Sequence, residues 1–306
     1  MKMSKACSNC ILAVDAGGTF LKAALVELNS SDNSSTIIEN TFVKVPVDSN
    51  GDMDSIRESY IKLAASGAGI ASDMGLKLNG IGVCIPGPFD YANGICLMKH
   101  KYQSIYGVPM RPWLEKAAGE VPISFVHDST AFILGAASPE RYSAFKHIGA
   151  VLIGTGLGFA TMIDSKVHNN PQGGPSISIF ARPFRNGTAE DYVSRRAIIS
   201  HYKKLYPCAP PDMDVVDIVG LARSGQPEAM KAFEAAGQYL AEIIHDILCD
   251  NRYDCLLLGG AISKSSDLFI TALRHGLADV HTLSLIEQAA DIDNAPILGA
   301  AKAVLT

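Results

Sequence analysis

The stretch ILAVDAGGTFLKAALVE, residues 11–27, decides how the rest of the chain is read. An apolar run ends in Asp15, turns through Gly17, Gly18 and Thr19, and resumes as a second apolar run. Adjacent glycines allow positive φ and close backbone approach, so the amides of Gly17, Gly18 and Thr19 are candidates to face an anion. A carboxylate beside them repels a bare phosphate. The conflict disappears if Mg2+ stands between the two, because that ion takes one or two carboxylates, waters and phosphate oxygens. The other reading is a plain hairpin turn, since Asp and Gly form turns for conformational reasons alone. The segment by itself leaves both open.

Outward from this stretch, the bulk properties narrow the classes. A chain of 306 residues has room for two domains. With 48% hydrophobic and 19% charged residues it is globular rather than largely disordered. The net charge of −5 supplies no global basic field, so a small-molecule partner is expected and nucleic acid is not. The first apolar stretch meets an acid after four residues, too soon for a signal-peptide core or a membrane span. No membrane partner and a cytoplasmic location are therefore expected. Of the seven cysteines, those in GIGVCIPG and YDCLLLGG sit in strand-like runs and read as buried thiols. Cys7 and Cys10 form a C-x-x-C, but no second pair follows at zinc spacing.

Alternation and β-branched residues predict strands near 11–15, 21–28, 36–45, 80–85 and 123–127. A helix of about twenty residues is expected from Met53, with Ile56, Tyr60, Leu63 and Ala64 on one face. DSTAFILGAA, 128–137, reads as an N-capped helix start. Further helices are expected near 189–203 and 226–249, and an exposed hairpin loop over 28–36. Residues 11–28 and 148–164 repeat one pattern: apolar strand, glycine turn with threonine, apolar strand. Two such halves facing each other make a cleft.

GTGLGFA, 154–160, matches G-x-G-x-x-A, but a dinucleotide site needs a helix next and an acid about 20 residues on. Here a strand follows, and NNPQGGPS, 169–176, has no acid. No G-x-x-x-x-G-K-[ST] occurs either. What remains, in order, is DAGGT (15–19), GIGVCIPGPFD (80–90), HDSTAFILGAA (127–137), GTGLG (154–158) and LLLGGAIS (256–263).

That set resembles the ROK family (repressors, open reading frames, kinases) of the actin, hexokinase and Hsp70 superfamily. The resemblance implies a two-lobed α/β actin-like ATPase fold, ribonuclease H-like, with mixed sheets flanked by helices and an interlobe cleft. The first lobe is expected over 1–127 plus 297–306, the second over 128–296. It further implies an ATP-dependent sugar kinase acting with Mg2+ on a hydroxyl of a hexose or N-acylated hexosamine, in a homodimer. Asp15 matches the magnesium-linked acid, acting through water. Gly17, Gly18, Thr19, Gly154, Thr155 and Gly156 match the phosphate turns, and Gly259 and Gly260 the adenosine turn. Asp128 matches the catalytic base, which accepts a proton from the attacking hydroxyl; a plain helix N-cap is the alternative there. Gly87, His127, Asp128 and Glu190 match substrate contacts.

Departures accompany the match. The family usually has a zinc site of one histidine and C-x-C-G-x-x-G-C after the second phosphate motif, yet no cysteine lies between Cys96 and Cys208. Ser176, Ser178 and Ile179 stand where G-E-x-G-H falls, so no zinc is expected and one sugar-contacting glutamate is missing. GTAEDYVS, 187–194, retains the glutamate as Glu190 with Thr188 in place of cysteine. His127 replaces the usual asparagine before the catalytic acid; a substrate contact and a satisfied strand-end histidine are both open. His100 and Lys101 lie where the family has substrate-loop residues, and a solvated loop is the alternative reading there. A non-catalytic sugar- or nucleotide-binding regulator of the same fold is the alternative function. Family repressors add an N-terminal helix-turn-helix, and ten residues precede the first strand here, so DNA binding is not expected.

Overall fold

The computed structural model of the chain describes residues 9–29, 34–137 and 140–305. Its contacts divide it into two compact units. The first opens with β1 (Asn9–Ala16), β2 (Phe20–Asn29), β3 (Ser34–Ile37), β4 (Val43–Pro46) and α1 (Met53–Asp73). It continues through β5 (Lys77–Ile85), the short hairpin β6 (Phe89–Asp90) and β7 (Ile95–Cys96), α2 (Arg111–Ala118), β8 (Ile123–His127) and α3 (Asp128–Ala136). The sheet runs β3-β2-β1-β5-β8, with β4 also on β2. β1 is antiparallel to β2 but parallel to β5, which is parallel to β8.

β1 is apolar along its length because both faces are covered. Leu12 and Val14 pack with Ile56, Tyr60 and Leu63 of α1. Ile11 and Ala13, on the other face by the period of two, pack with Ala131 of α3. Asp52 starts α1 by accepting the amide of Ser55 at 2.8 Å. The strand expected over 36–45 is two, because Asn40 takes φ 60° and the buried Thr41 turns its Oγ1 to the amide of Leu25. Residues 30–33 of the expected hairpin loop lie outside the described residues, as does Cys7. Cys10 is a core residue whose thiol burial pushes up to about 11, so it is no thiolate.

The second unit holds β9 (His147–Ile153), β10 (Leu157–Ile163), β11 (Lys166–Val167), β12 (Pro183–Phe184), β13 (Gly187–Thr188), α4 (Ala189–Tyr192) and α5 (Arg195–Leu205). It adds α6 (Val215–Arg223), α7 (Pro227–Asp250), β14 (Cys255–Gly259), α8 (Ile270–Gly276) and β15 (Leu285–Gln288). Its sheet runs β11-β10-β9-β14-β15. β10-β9-β14-β15 repeats β2-β1-β5-β8: an antiparallel hairpin, then two parallel neighbours. The helix expected over 189–203 is split, since Ser194 is extended at φ −166° and caps α5 through the amide of Ala197. The serine-rich start after Gly260 is 3-10 turns over Ala261–Leu268, broken at Ser265.

The chain ends in α9 (Ala295–Lys302), which belongs to the first unit. A Cβ on Gly299 would overlap the carbonyl of Ala131, and one on Gly135 that of Ala295, so α3 and α9 pack backbone to backbone. That contact keeps α3 in the first unit, where the expected boundary at 127/128 put it in the second lobe. The first unit runs to Tyr142, takes in Asn169–Pro175 and resumes at Asn294. Gly173 lies against Tyr91, and Thr130 Oγ1 donates to Asn169 Oδ1 at 2.7 Å, which holds the inserted segment there. No described helix is long and apolar enough to cross a membrane.

Candidate active site

In the first unit the parallel strands deliver the predicted residues to one edge. Asp15 pairs in register with Cys84, Cys84 with Val126, and Ile85 with His127. Asp15, the turn at Gly87 and the His127–Asp128 step therefore lie at the carboxyl ends of β1, β5 and β8, the edge where open α/β sheets bind ligands.

The first glycine turn is closed by the amide of Gly17, which donates to Phe20 O at 3.1 Å. A Cβ on Gly17 would come within 2.8 Å of that oxygen, which requires glycine there. Gly17 thus spends its amide on the turn and has none for an anion, contrary to expectation. Among the described residues nothing accepts from the amides of Gly18 and Thr19, whose carbonyls take the amides of Ser49 and Val47. Burial holds the Asp15 carboxyl above its ordinary value, Lys22 opposes that, the charge of Asp128 adds to it, and a hydrogen bond with Cys84 opposes it. An acid whose ionisation is opposed by burial and by the charge of Asp128, beside two unspent amides, fits a divalent cation between acid and phosphate.

Asp128 is the first residue of α3, and the N-cap is His127. The plain-cap alternative therefore falls on its neighbour. Asp128 Oδ1 accepts the Ser129 amide at 2.7 Å and lies 2.9 Å from His127 Nδ1. Nothing among the described residues donates to Oδ2, and 48% of the side chain is open to solvent. Burial alone would raise this carboxyl; the hydrogen bond and charge of His127, the Ser129 amide and the Lys101 ammonium outweigh it and hold the group below its ordinary value. His127 Nδ1 is also 2.8 Å from Ser129 Oγ, while its other ring edge faces the turn, 3.5 Å from where a Cβ on Gly87 would stand. Tyr91 stacks edge-on against the ring at 5.9 Å.

In this unit the solvated-loop reading fails at Lys101, and Tyr102 escaped the sequence reading. Lys101 is half-buried and its amine is lowered by burial, with the charge of Asp128 countering, so it does not belong to a merely solvated loop. His100, beside it, is exposed. Tyr102 is fully buried at φ 54°; its amide donates to Ser49 O at 2.6 Å and its hydroxyl to Gly17 O at 2.5 Å. A tyrosine directly after K-H-K was the available signal.

In the second unit the amide of Gly154 donates to Gly156 O at 2.9 Å, and that of Arg195 to Gly154 O at 2.8 Å. The amides of Thr155 and Gly156 find no acceptor among the described residues. Gly259 pairs with Leu152, and Gly260, at φ 80°, sits where a Cβ would overlap the carbonyl of Ile153. The fold thus brings Gly154–Gly156 and Gly259–Gly260 together at one edge of β9 and β14. Glu190, on α4, points its Oε2 at the amide of Leu157 at 3.1 Å, and its Oε1 pairs with Arg196 at 3.2 Å.

The segment where the family carries zinc is built differently. Ile179 is buried in the core of the second unit, Ile177 packs against it, and Ser176 and Ser178 are exposed. Arg182 pairs with Asp246, and Arg185 lies over the ring of Tyr239 at 4.4 Å with its guanidinium 3.0 and 3.1 Å from the Glu242 carboxylate. Among the described residues no cluster of three or more His, Cys, Asp or Glu could hold a metal ion.

The ROK family model matches residues 11–306. A glucokinase of Thermotoga maritima is 24% identical over 324 residues, covering 96% of each chain. Among solved structures, a ROK family transcriptional regulator, homologue of the E. coli MLC protein, superposes with a TM-score of 0.81 at 17% identity, over 97% of this chain and 78% of that one. A ROK family glucokinase from Streptomyces griseus, solved with glucose and AMPPNP, superposes with a TM-score of 0.76 at 18% identity, over 96% and 98%.

Proposed function

The chain belongs to the ROK family, and from that premise we propose that it is an ATP-dependent kinase of a hexose or N-acylated hexosamine hydroxyl. The observation that carries this reading is Asp128: one carboxylate oxygen is anchored and the other is open, at the edge that also holds Asp15. In this reading Asp128 Oδ2 accepts the proton of the sugar hydroxyl as that oxygen attacks the γ-phosphoryl group. The Ser129 amide, His127 and Lys101 keep the carboxyl ionised, the state a base requires. Gly87 and His127 border the acceptor. The unspent amides of Gly18, Thr19, Thr155 and Gly156 donate to phosphate oxygens, and Gly259 and Gly260 lie beside the adenosine. Mg2+, held by Asp15 through water, supplies the charge that offsets the phosphates. The enzyme is taken to be a cytoplasmic homodimer with no nucleic-acid partner.

The acylated acceptor has lost part of its support, since Ile177 and Ile179 face the protein core and leave Phe180 as the exposed apolar side chain of that segment. A regulator that binds sugar or nucleotide without turnover is the second reading, favoured by Ser176, Ser178 and Ile179 at the positions of lost sugar contacts. One coupled assay separates the two: ATP with Mg2+ and a panel of hexoses, hexosamines and N-acetylhexosamines. Sugar-dependent ADP release that Asp128→Asn abolishes supports the kinase. Binding of nucleotide or sugar with no ADP release on any panel member supports the regulator.

A further inference from the structure

We propose that Glu190 is a positioning residue that couples acceptor binding to nucleotide binding by holding the second glycine turn. The coupling rests on the kinase reading above, which gives Glu190 to the sugar; the hold on the turn does not. The Leu157 amide directly follows the turn, and its acceptor is Glu190 Oε2 at 3.1 Å. A Cβ on Gly156 would stand 2.7 Å from that same oxygen, so the carboxylate occupies the space a side chain at Gly156 would need. Four residues beyond Glu190, the extended backbone at Ser194 leads into Arg195, whose amide holds Gly154 O. One short segment, 190–195, thus grips the turn at both ends. Between the grips lie the amides of Thr155 and Gly156, the ones without an acceptor. Glu190 is itself held by its place in α4, where its amide donates to Phe180 O at 3.1 Å and Thr188 with Asp191 forms a capping box. Among the described residues its other oxygen meets only Arg196, an exposed side chain shared with Asp191, which leaves that oxygen able to exchange partners. A ligand hydroxyl that reorients this carboxylate changes its bond to Leu157, and by linkage a phosphate on the turn changes the affinity for that hydroxyl by the same factor.

The test measures the affinity of a non-hydrolysable ATP analogue and the KM of the best panel sugar in the wild type, Glu190→Gln, Glu190→Ala, Gly156→Ala and the double variant Gly156→Ala with Glu190→Ala. Gln keeps an oxygen for the Leu157 amide, so nucleotide affinity should stay within about two-fold, whereas Ala should weaken it about ten-fold. Gly156→Ala should weaken it similarly, and the double variant should be no worse than either single, because both break one contact. Sugar KM should rise in both Glu190 variants. Nucleotide affinity unchanged in Glu190→Ala, or equal losses in Gln and Ala, overturns the proposal. A fall in melting temperature with both affinities intact overturns it too, by reducing Glu190 to a structural brace. If no sugar is turned over by the wild type, the kinase reading fails while the nucleotide arm still reports on the turn.

Discussion

The two glycine turns close the same kind of hairpin and are held in opposite ways. In the first, the acid precedes the turn on its own strand, and the hold comes from a neutral hydroxyl, Tyr102 Oη on Gly17 O. In the second, no acid precedes the turn, and the hold comes from a distant carboxylate, Glu190 on the Leu157 amide. Asp15 is left with its charge uncompensated by any salt bridge among the described residues, while Glu190 is engaged on both oxygens. The repeated pattern therefore specifies a scaffold, and the tertiary surroundings decide which acid stays available. In the proposed reading the open acids of the first unit serve the chemistry, and the engaged acid of the second holds the turn.

The strongest way to break this contrast is Asp128→Asn. The amide oxygen still accepts the Ser129 amide, so α3 should start as before, but the proton acceptor is gone. Turnover should drop by roughly 10² to 10⁴, far more than Glu190→Gln produces. Activity surviving in Asp128→Asn, with the loss appearing in Glu190→Gln instead, would invert the assignment of the two units.

Next comes Asp15→Asn, expected to lower turnover about 10²-fold, as for loss of other charge-stabilising groups. Its stability effect has the opposite sign to that of Asp128→Asn. The folded-state value of Asp15 is raised above 3.8, so its contribution is present at low pH and is lost as pH rises through the folded value. Asp128 is lowered, so its contribution is present above 3.8 and is lost as pH falls through its folded value. At neutral pH and without Mg2+, thermal unfolding should therefore show Asp15→Asn more stable than the wild type and Asp128→Asn less stable. Adding Mg2+ should raise the melting temperature of the wild type and not that of Asp15→Asn. Equal Mg2+ responses would remove the metal from Asp15.

Tyr102→Phe tests the neutral hold on the first turn. It deletes one hydrogen bond to Gly17 O while keeping the ring, a loss of about 1 kcal/mol, or roughly five-fold. The loss should appear in the KM for ATP rather than for sugar. A change confined to sugar KM would make Tyr102 part of the acceptor loop alone.

These contrasts also mark how far the sequence could be read. The hairpins were legible because apolar runs and glycines repeat locally, and the places of Asp15 and Asp128 because an acid stands where each apolar run stops. Gly17 was misread at the level of its amide, since which amide a turn consumes depends on its closure and not on its letters. The surroundings of Lys101 and Tyr102 were not legible because they come from Asp128 and Gly17, residues far away in the chain. The placement of α3 depended on α9, at the opposite end of the sequence, through two glycines with no periodic signature.

The smallest expected effect concerns the segment after the second turn, where the family holds its loop with zinc. Here the segment is held by burial and by α7: Ile179 enters the core, Arg182 meets Asp246, and Arg185 is clasped by Glu242 over Tyr239, Tyr192 and Phe184. Thiolate and imidazole donors are what give a structural zinc its affinity, and Ser176, Ser178 and Thr188 supply neither. A chelator wash followed by assay in Mg2+ should therefore leave both the melting temperature and the activity as in unwashed protein assayed in the same Mg2+. Arg185→Met, which removes an exposed ion pair and a cation–π contact, should cost only about 1 kcal/mol. Glu190 stands five residues beyond Arg185, so a loosened clasp should reach the second turn as a modest rise in KM for ATP, while the first turn, with its own hydroxyl hold, is spared. Stoichiometric zinc retained after a chelator wash, or a loss of stability that zinc restores and Mg2+ does not, would show that a metal and not the arginine clasp carries the segment.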